Sequence, residues 1–265
     1  MIIDTHTHIG LDRETIRATS GELVKSMDAA GIDRALVFGG AINDCPNSWL
    51  LDQVDHFPDR LSAVASVSPL RSDAPTPKAV DRLAAKGRIA GLKLYPGYEH
   101  YYPADAVIRP YLKVAADRGL PVVFHSGDLF NKIPGAKLKY AQAIHIDDLA
   151  VELPNLKIVI AHLGYPWMVD AAQVCQKNAN VYADISGLVY GRFTSSTEAQ
   201  IVTYLRQFVA VCESPEKVLF GTDWPIADQS DYVVAMPCIV SAVFGETAVP
   251  GVMGGNALRV FGLHP

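Results

Sequence analysis

The chain has little with which to grip a nucleic acid, enter a bilayer or build a disulfide framework. Of its 265 residues only 19% are charged, the net charge is −5, and no basic run exceeds two residues. Nucleic acids and anionic membrane surfaces are held by concentrated positive charge, which argues against either as the main partner. No apolar run approaches the ~18 residues of a membrane span. The four cysteines, Cys45, Cys175, Cys212 and Cys238, are far apart and form no Cys-x-x-Cys pair. Cys175 and Cys212 fall in apolar helical patterns and are expected as buried, reduced thiols. Polar, chemistry-bearing residues begin at position 4, where a secretory leader would still be apolar, so a cytoplasmic location is expected. Low-complexity tracts, repeats and interdomain linkers are also absent.

What is present is one alternation carried through the whole length. Short apolar runs read as strands at Met1–Thr5, Ala35–Phe38, Ser62–Val67, Gly91–Tyr95, Pro121–His125, Lys157–His162, Val181–Ser186 and Lys217–Thr222. Stretches of helical period separate them, among them Gly21–Ala30, Ala79–Ala85, Arg109–Arg118 and Glu198–Val211. Gly31, Gly87 and Gly119 stand where helices should stop, and Ser195-Ser196-Thr197-Glu198 offers a helix start. Eight strand–helix units imply parallel strands with crossover helices, and in this length they predict a single-domain (β/α)8 TIM barrel over residues 1–265. A doubly wound open sheet is the other topology, but the first strand is followed by His-Ile-Gly and not by a glycine-rich phosphate turn. The longest irregular stretches, Pro96–Asp105 and Ser126–Lys139, follow strands and would lie on the catalytic face.

Metal-competent residues gather at the predicted C-terminal strand ends. Asp4-Thr5-His6-Thr7-His8 carries two histidines at i and i+2. In a strand both project from one face, about 7 Å apart at Cα, which lets two imidazoles converge on one cation. His125 and His162 end the fifth and sixth strands, Asp223 follows the eighth, and Lys93 interrupts the fourth. Each has an ordinary alternative taken alone. The histidines could hydrogen-bond to loops, Asp223 could cap a helix, and Lys93 could snorkel to water. Such residues at five equivalent strand ends are hard to explain by packing, because each costs free energy there without a partner. His56, His145 and His264 lie outside this pattern and read as structural or surface residues, whereas His100 sits in a catalytic-face loop.

The ordered set resembles the amidohydrolase superfamily. Its carriers are His6-Thr7-His8, His125, His162 and Gly221-Thr222-Asp223-Trp224-Pro225. The segment Gly91-Leu92-Lys93-Leu94-Tyr95-Pro96 and the tail Gly255–Leu263 look more narrowly like the amidohydrolase-related branch, which holds small hydrolases and aminocarboxymuconate-semialdehyde decarboxylase-like enzymes. The resemblance implies that His6, His8, His125 and Asp223 ligate a divalent metal, one zinc, with manganese or a second metal as variants. It implies that Asp223 and His162 are catalytic. Lys93, Tyr95, His100 and Trp224 are the substrate-binding candidates. A strand-four lysine is carboxylated in binuclear relatives; in this mononuclear branch Lys93 is expected as a substrate-facing cation or a structural residue.

A zinc-like ion with three imidazoles and a carboxylate keeps one position open for water or substrate. The expected reaction is hydrolysis of an ester, lactone or amide of a small molecule, Asp223 moving the proton and His162 stabilising the oxyanion. His125 and His162 should use their second ring nitrogens on carbonyl or carboxylate partners, and Asp184 is a candidate outer acid. Non-oxidative decarboxylation of an aromatic or unsaturated acid is the alternative, and a catalytically inactive small-molecule-binding barrel is a third. The short chain, with little room for the insertions of many decarboxylases, favours hydrolysis. A homodimer is the default assembly for this size and class.

Overall fold

The computed structural model describes residues 1–264 except 11, 14, 15, 40–44, 132, 190 and 191, and leaves out the side chains of 12, 13, 16 and 17. Eight strands run in parallel and pair in chain order: β1 (Ile3–His8), β2 (Arg34–Phe38), β3 (Leu61–Ser66), β4 (Gly91–Leu94), β5 (Val122–Phe124), β6 (Ile158–Ile160), β7 (Val181–Asp184) and β8 (Val218–Leu219). The seam between β8 and β1 is joined by Thr5 N donating to Phe220 O at 3.0 Å, Asp223 N to His6 O at 2.8 Å and His8 N to Trp224 O at 2.7 Å. These bonds bring the last strand against the first, so the sheet is a (β/α)8 barrel and the doubly wound alternative is excluded.

Period-two alternation sorts the strand residues into two cores. Leu36, Phe38, Val64, Val123, Val159, Tyr182 and Leu219 fill the interior. Their neighbours Ala35, Val37, Ala63, Val122, Ile158 and Val181 face the helices and join the larger outer core. A helix follows each strand: α1 (Ser20–Ala30), α2 (Asn47–Val54), α3 (Pro77–Ala85), α4 (Arg109–Arg118), α5 (Ile146–Glu152), α6 (Met168–Lys177), α7 (Ser195–Val209) and α8 (Gln229–Phe244), with a terminal α9 (Asn256–Phe261).

Local chemistry explains most boundaries. Helix α1 starts at a Thr19/Glu22 capping box and ends at Gly31, whose φ of 73° suits a residue without Cβ. Helix α4 spans Arg109–Arg118 and stops at Gly119 (φ 66°). Thr194, one residue before the expected start, caps α7 by pairing with Thr197. The largest departures from expectation are at the seam. Strand β1 continues through His8, beyond the expected Thr5, because its C-terminal half pairs with β2 and with Trp224. Strand β8 is only Val218–Leu219, because beyond it Thr222 N bonds to the Asp4 side chain. Cys175 lies buried in α6 and Cys212 buried just past the end of α7; Cys45 is also buried and Cys238 is exposed. Among the described residues no helix is long and apolar enough to cross a membrane.

Candidate metal centre

The C-terminal ends of β1, β4, β5, β6, β7 and β8 meet at one rim. Because β1 extends to His8, His6 and His8 both lie in the strand, on its inner face, with ring centroids 5.2 Å apart. Phe38 at the end of β2 packs edge-on against both, at 4.5 and 5.5 Å, which fixes their rotamers from below. His8 Nε2 lies 3.2 Å from Asp223 Oδ1, and His6 Nε2 lies 3.7 Å from the same oxygen. His6, His8 and Asp223 thus form a buried triple whose ligand atoms all fall within 4.8 Å of one another. Asp223 is not a helix cap; Asp228 does that for α8, accepting from Ser230 N and Asp231 N.

Asp184 at the end of β7 sets the state of His6. Its Oδ2 lies 2.8 Å from His6 Nδ1, so this nitrogen carries the proton and Nε2 presents its lone pair to the rim. Asp184 Oδ1 accepts from His162 N, Ser186 N and Ser186 Oγ. His162 Nδ1 in turn meets Ser186 O at 3.1 Å and Ser186 Oγ at 2.9 Å. A carbonyl can only accept, so Nδ1 bears the proton and Nε2 is the free atom. His125 follows the same logic with the nitrogens exchanged. Its Nε2 is 2.9 Å from Asp128 O, leaving Nδ1 bare. Both rings therefore use a second nitrogen on a backbone carbonyl, as expected from sequence.

Of the four expected ligands, three converge in one triple. His125 stands across the rim beside His162, their centroids 5.1 Å apart, with Tyr98 against its other side at 4.7 Å. His6, His162 and Asp184 form a second group within 4.8 Å. Lys93 does not snorkel. It is fully buried, with Nζ 3.4 Å from His6 Nε2 and above the rings of Phe38 and Tyr95 at 4.8 and 5.3 Å. Tyr95 is buried and donates its hydroxyl to Gly39 O at 2.8 Å. Trp224 is half-buried at the seam, its backbone bridged to Thr7. His100 is not drawn in: it is exposed, 2.7 Å from Gly135 O, and stacked on Tyr140. The tyrosine-rich loop absorbs it, because stacking and a carbonyl partner lie closer to hand than the rim.

The electrostatics suit a cation. Burial, helped by the nearby Lys93 charge, pushes His6 down to about 3, and burial also lowers His8 and His125. All three imidazoles are neutral at physiological pH, with lone pairs to give. Burial alone would raise Asp223, but the His8 hydrogen bond and the surrounding histidines hold it well below the usual carboxylate range. Asp184 is likewise held low against burial, chiefly by His6. Burial brings Lys93 down to about 8.

Backbone strain marks the same place. Among the described non-glycine residues only His162 (φ 59°), Leu163 (φ 49°) and Asp223 (φ 67°) have positive φ. Each such residue costs about 1–3 kcal/mol and is kept where the surroundings over-determine it, commonly at functional sites. Gly187 lies between the two polar ones. A Cβ there would come within 2.7 Å of His162 Nδ1 and 3.0 Å of Asp223 Oδ2, and its own φ is 63°. Gly187, Ser186 and Phe38 stand out in no sequence pattern, and Asp4 only as the first chemistry-bearing residue of the chain, with no role attached. Asp4 stands two residues before His6, but it pairs with Ala35 and the register slips between Asp4 and Thr7, so strand alternation does not carry it onto the face of His6 and His8.

The residues fit a divalent metal: neutral imidazoles and an ionised carboxylate converge in a buried pocket, with the His6 tautomer fixed from behind. Comparison with known proteins agrees with the fold. A family model described as Amidohydrolase matches residues 3–263. No curated protein matches the sequence. Solved structures similar in fold include a probable 2-pyrone-4,6-dicarboxylic acid hydrolase from Acinetobacter baumannii, at 18% identity and TM-score 0.72 over 99% of both chains. They also include a 2,6-dihydroxybenzoate decarboxylase from Rhizobium, at 18% and 0.71 over 98% of both. An amidohydrolase from Burkholderia multivorans with bound zinc is 15% identical, with TM-score 0.71 over 100% of both. The chain belongs to the amidohydrolase family.

Proposed function

We propose that the protein is a metal-dependent hydrolase that cleaves an ester, lactone or amide bond of a small molecule. The observation that carries this reading is the buried His6–His8–Asp223 triple with the His6 tautomer set by Asp184. His6 Nε2, His8 Nε2, Asp223 and, from across the rim, His125 Nδ1 would hold the ion, zinc being the best match to this nitrogen-rich set. A divalent cation there supplies a Lewis acid and lowers the pKa of water toward neutrality.

The chain's own residues supply the rest. Asp223, ionised at neutral pH, accepts a proton from the attacking water at a carboxylate oxygen and returns it to the leaving group. His162 Nε2, the ring nitrogen not engaged by Ser186, faces the reacting group and orients it. Lys93 and Tyr95 line the β4 side, where Lys93 meets the polar part of the substrate. Buried Cys175 and Cys212, which form no disulfide, suit a reducing compartment such as the cytoplasm.

Decarboxylation is the second reading, supported by the decarboxylase among the similar folds. The two separate in one experiment. Purified protein with its metal quantified is offered lactones, esters, amides and aromatic carboxylic acids. Proton release from an ester or lactone, or free amine from an amide, supports hydrolysis; carbon dioxide release from an acid, with no hydrolytic turnover, overturns it.

A further inference from the structure

We propose that Asp4 is a positioning residue of the metal centre, clamping the β8–β1 seam so that His6 and His8 on one strand meet Asp223 on the other at a fixed angle. The inference rests on the proposal that these three residues hold the ion.

Asp4 is fully buried, and its carboxylate accepts four hydrogen bonds. Oδ1 takes His6 N at 3.1 Å and Thr222 N at 3.0 Å. Oδ2 takes Thr222 Oγ1 at 2.6 Å and Gln229 Nε2 at 2.9 Å. None of these partners carries a positive charge. A buried carboxylate without a counter-ion is an expensive way to close a barrel, and packed apolar residues would do so more cheaply. What the carboxylate provides is geometry. It holds the backbone of one donor, His6, and the residue next to another, Asp223.

The seam needs this help. Strand β8 ends at Leu219, four residues before Asp223, so the regular ladder is already spent. Beyond the backbone bonds Asp223 N–His6 O and His8 N–Trp224 O, the segment on both sides of Asp223 is pinned by the clamp. Thr222 N bonds to Asp4, and Trp224 N donates to the Thr222 hydroxyl at 3.1 Å while that hydroxyl donates to Asp4. Between them Asp223 N donates to His6 O at 2.8 Å. Three consecutive residues are thus tied to β1, which holds Asp223 at its φ of 67° with its carboxylate 3.2 Å from His8 Nε2. Gln229, the first residue of α8, ties the helix to the same carboxylate.

The test compares zinc affinity with fold stability. The zinc dissociation constant is measured by chelator competition, and melting is followed on the metal-free protein, for wild type, Asp4→Ala, Thr222→Val and Asn180→Ala. Asn180 is the structural control. Its amide donates to the carbonyls of Ala150, Leu153 and Leu156, before the N-terminal end of β7 and so at the opposite end of the barrel. Outer partners of metal ligands typically contribute about 10–100-fold in affinity. Asp4→Ala should weaken zinc binding about tenfold or more, and Asn180→Ala should lower the melting temperature with zinc affinity unchanged. If Asp4→Ala does not fold, Thr222→Val, which removes one donor and keeps the backbone N–H, should still weaken binding several-fold. Zinc affinity within twofold of wild type in the folded seam variants, or an equal loss in Asn180→Ala, overturns the clamp. Wild-type protein that binds no zinc would instead overturn the metal reading beneath it.

Discussion

Replacing Asp184 by Asn changes one atom, and the surroundings dictate where that atom goes. Asp184 Oδ1 accepts from three donors, His162 N, Ser186 N and Ser186 Oγ, so an asparagine must keep its carbonyl oxygen there. The new amide nitrogen is then forced to the place of Oδ2, 2.8 Å from His6 Nδ1. As a donor it can face only an unprotonated Nδ1, which moves the His6 proton to Nε2, the atom aimed at the rim. The substitution also turns a charge-assisted hydrogen bond into a neutral one, a loss of about 1–2 kcal/mol. Recovering the metal-competent tautomer would bring two donors face to face, at a cost of similar size. Together, at about 2–4 kcal/mol, these correspond to a metal affinity lower by about 30–1000-fold, whose lower part overlaps the range of about 10–100-fold for outer partners of ligating histidines. Titration of the metal-free protein with zinc against a chromophoric chelator at pH 7.5 measures this directly, with circular dichroism confirming the fold. An affinity within twofold of wild type would refute the assignment of the His6 proton to Nδ1.

His8→Ala should lose bound metal and activity together, read by metal analysis after gel filtration; retained stoichiometric metal would contradict a ligand role. Asp223→Asn should keep the fold but lower kcat by about 10²–10⁴, the range for a lost general base, and near-normal turnover would remove Asp223 from proton transfer. Gly187→Ala forces a Cβ against His162 Nδ1 at a φ of 63°, so about 2 kcal/mol of stability should go together with most of the activity. Burial pushes the half-buried Glu99 up to about 7. A raised carboxyl pKa favours the folded state below the unfolded value and loses that advantage as pH rises from about 4.5 through 7. Glu99→Gln should therefore match wild type in urea unfolding at pH 4 yet be more stable at pH 8 by about 1–2 kcal/mol, after allowing for solvent screening. Equal stability at pH 8 would show that the carboxyl is better solvated than its burial implies.

Residue pattern alone was enough for the architecture and for most of the chemistry-bearing residues. Eight apolar runs alternating with helical periods leave a parallel barrel as the economical way to bury both faces of every strand. The i, i+2 spacing of His6 and His8 fixes their common side, because strand alternation is a local property of the backbone. His125, His162 and Asp223 were legible for a related reason: polar residues ending apolar strands stand out against their neighbours. Tertiary structure decided how these residues meet. That Asp184 serves His6 depends on β7 lying across the rim from β1, and that Asp4 reaches Thr222 depends on the seam closing; both pairings span more than 170 residues and leave no local periodicity. His100 shows the same limit in reverse, since its loop looked aimed at substrate until Tyr140 and Gly135 folded against it. Residue type and spacing choose which side chains can do chemistry. The distances that convert a histidine from decoration into a ligand arise only when distant strands are brought within a few ångströms.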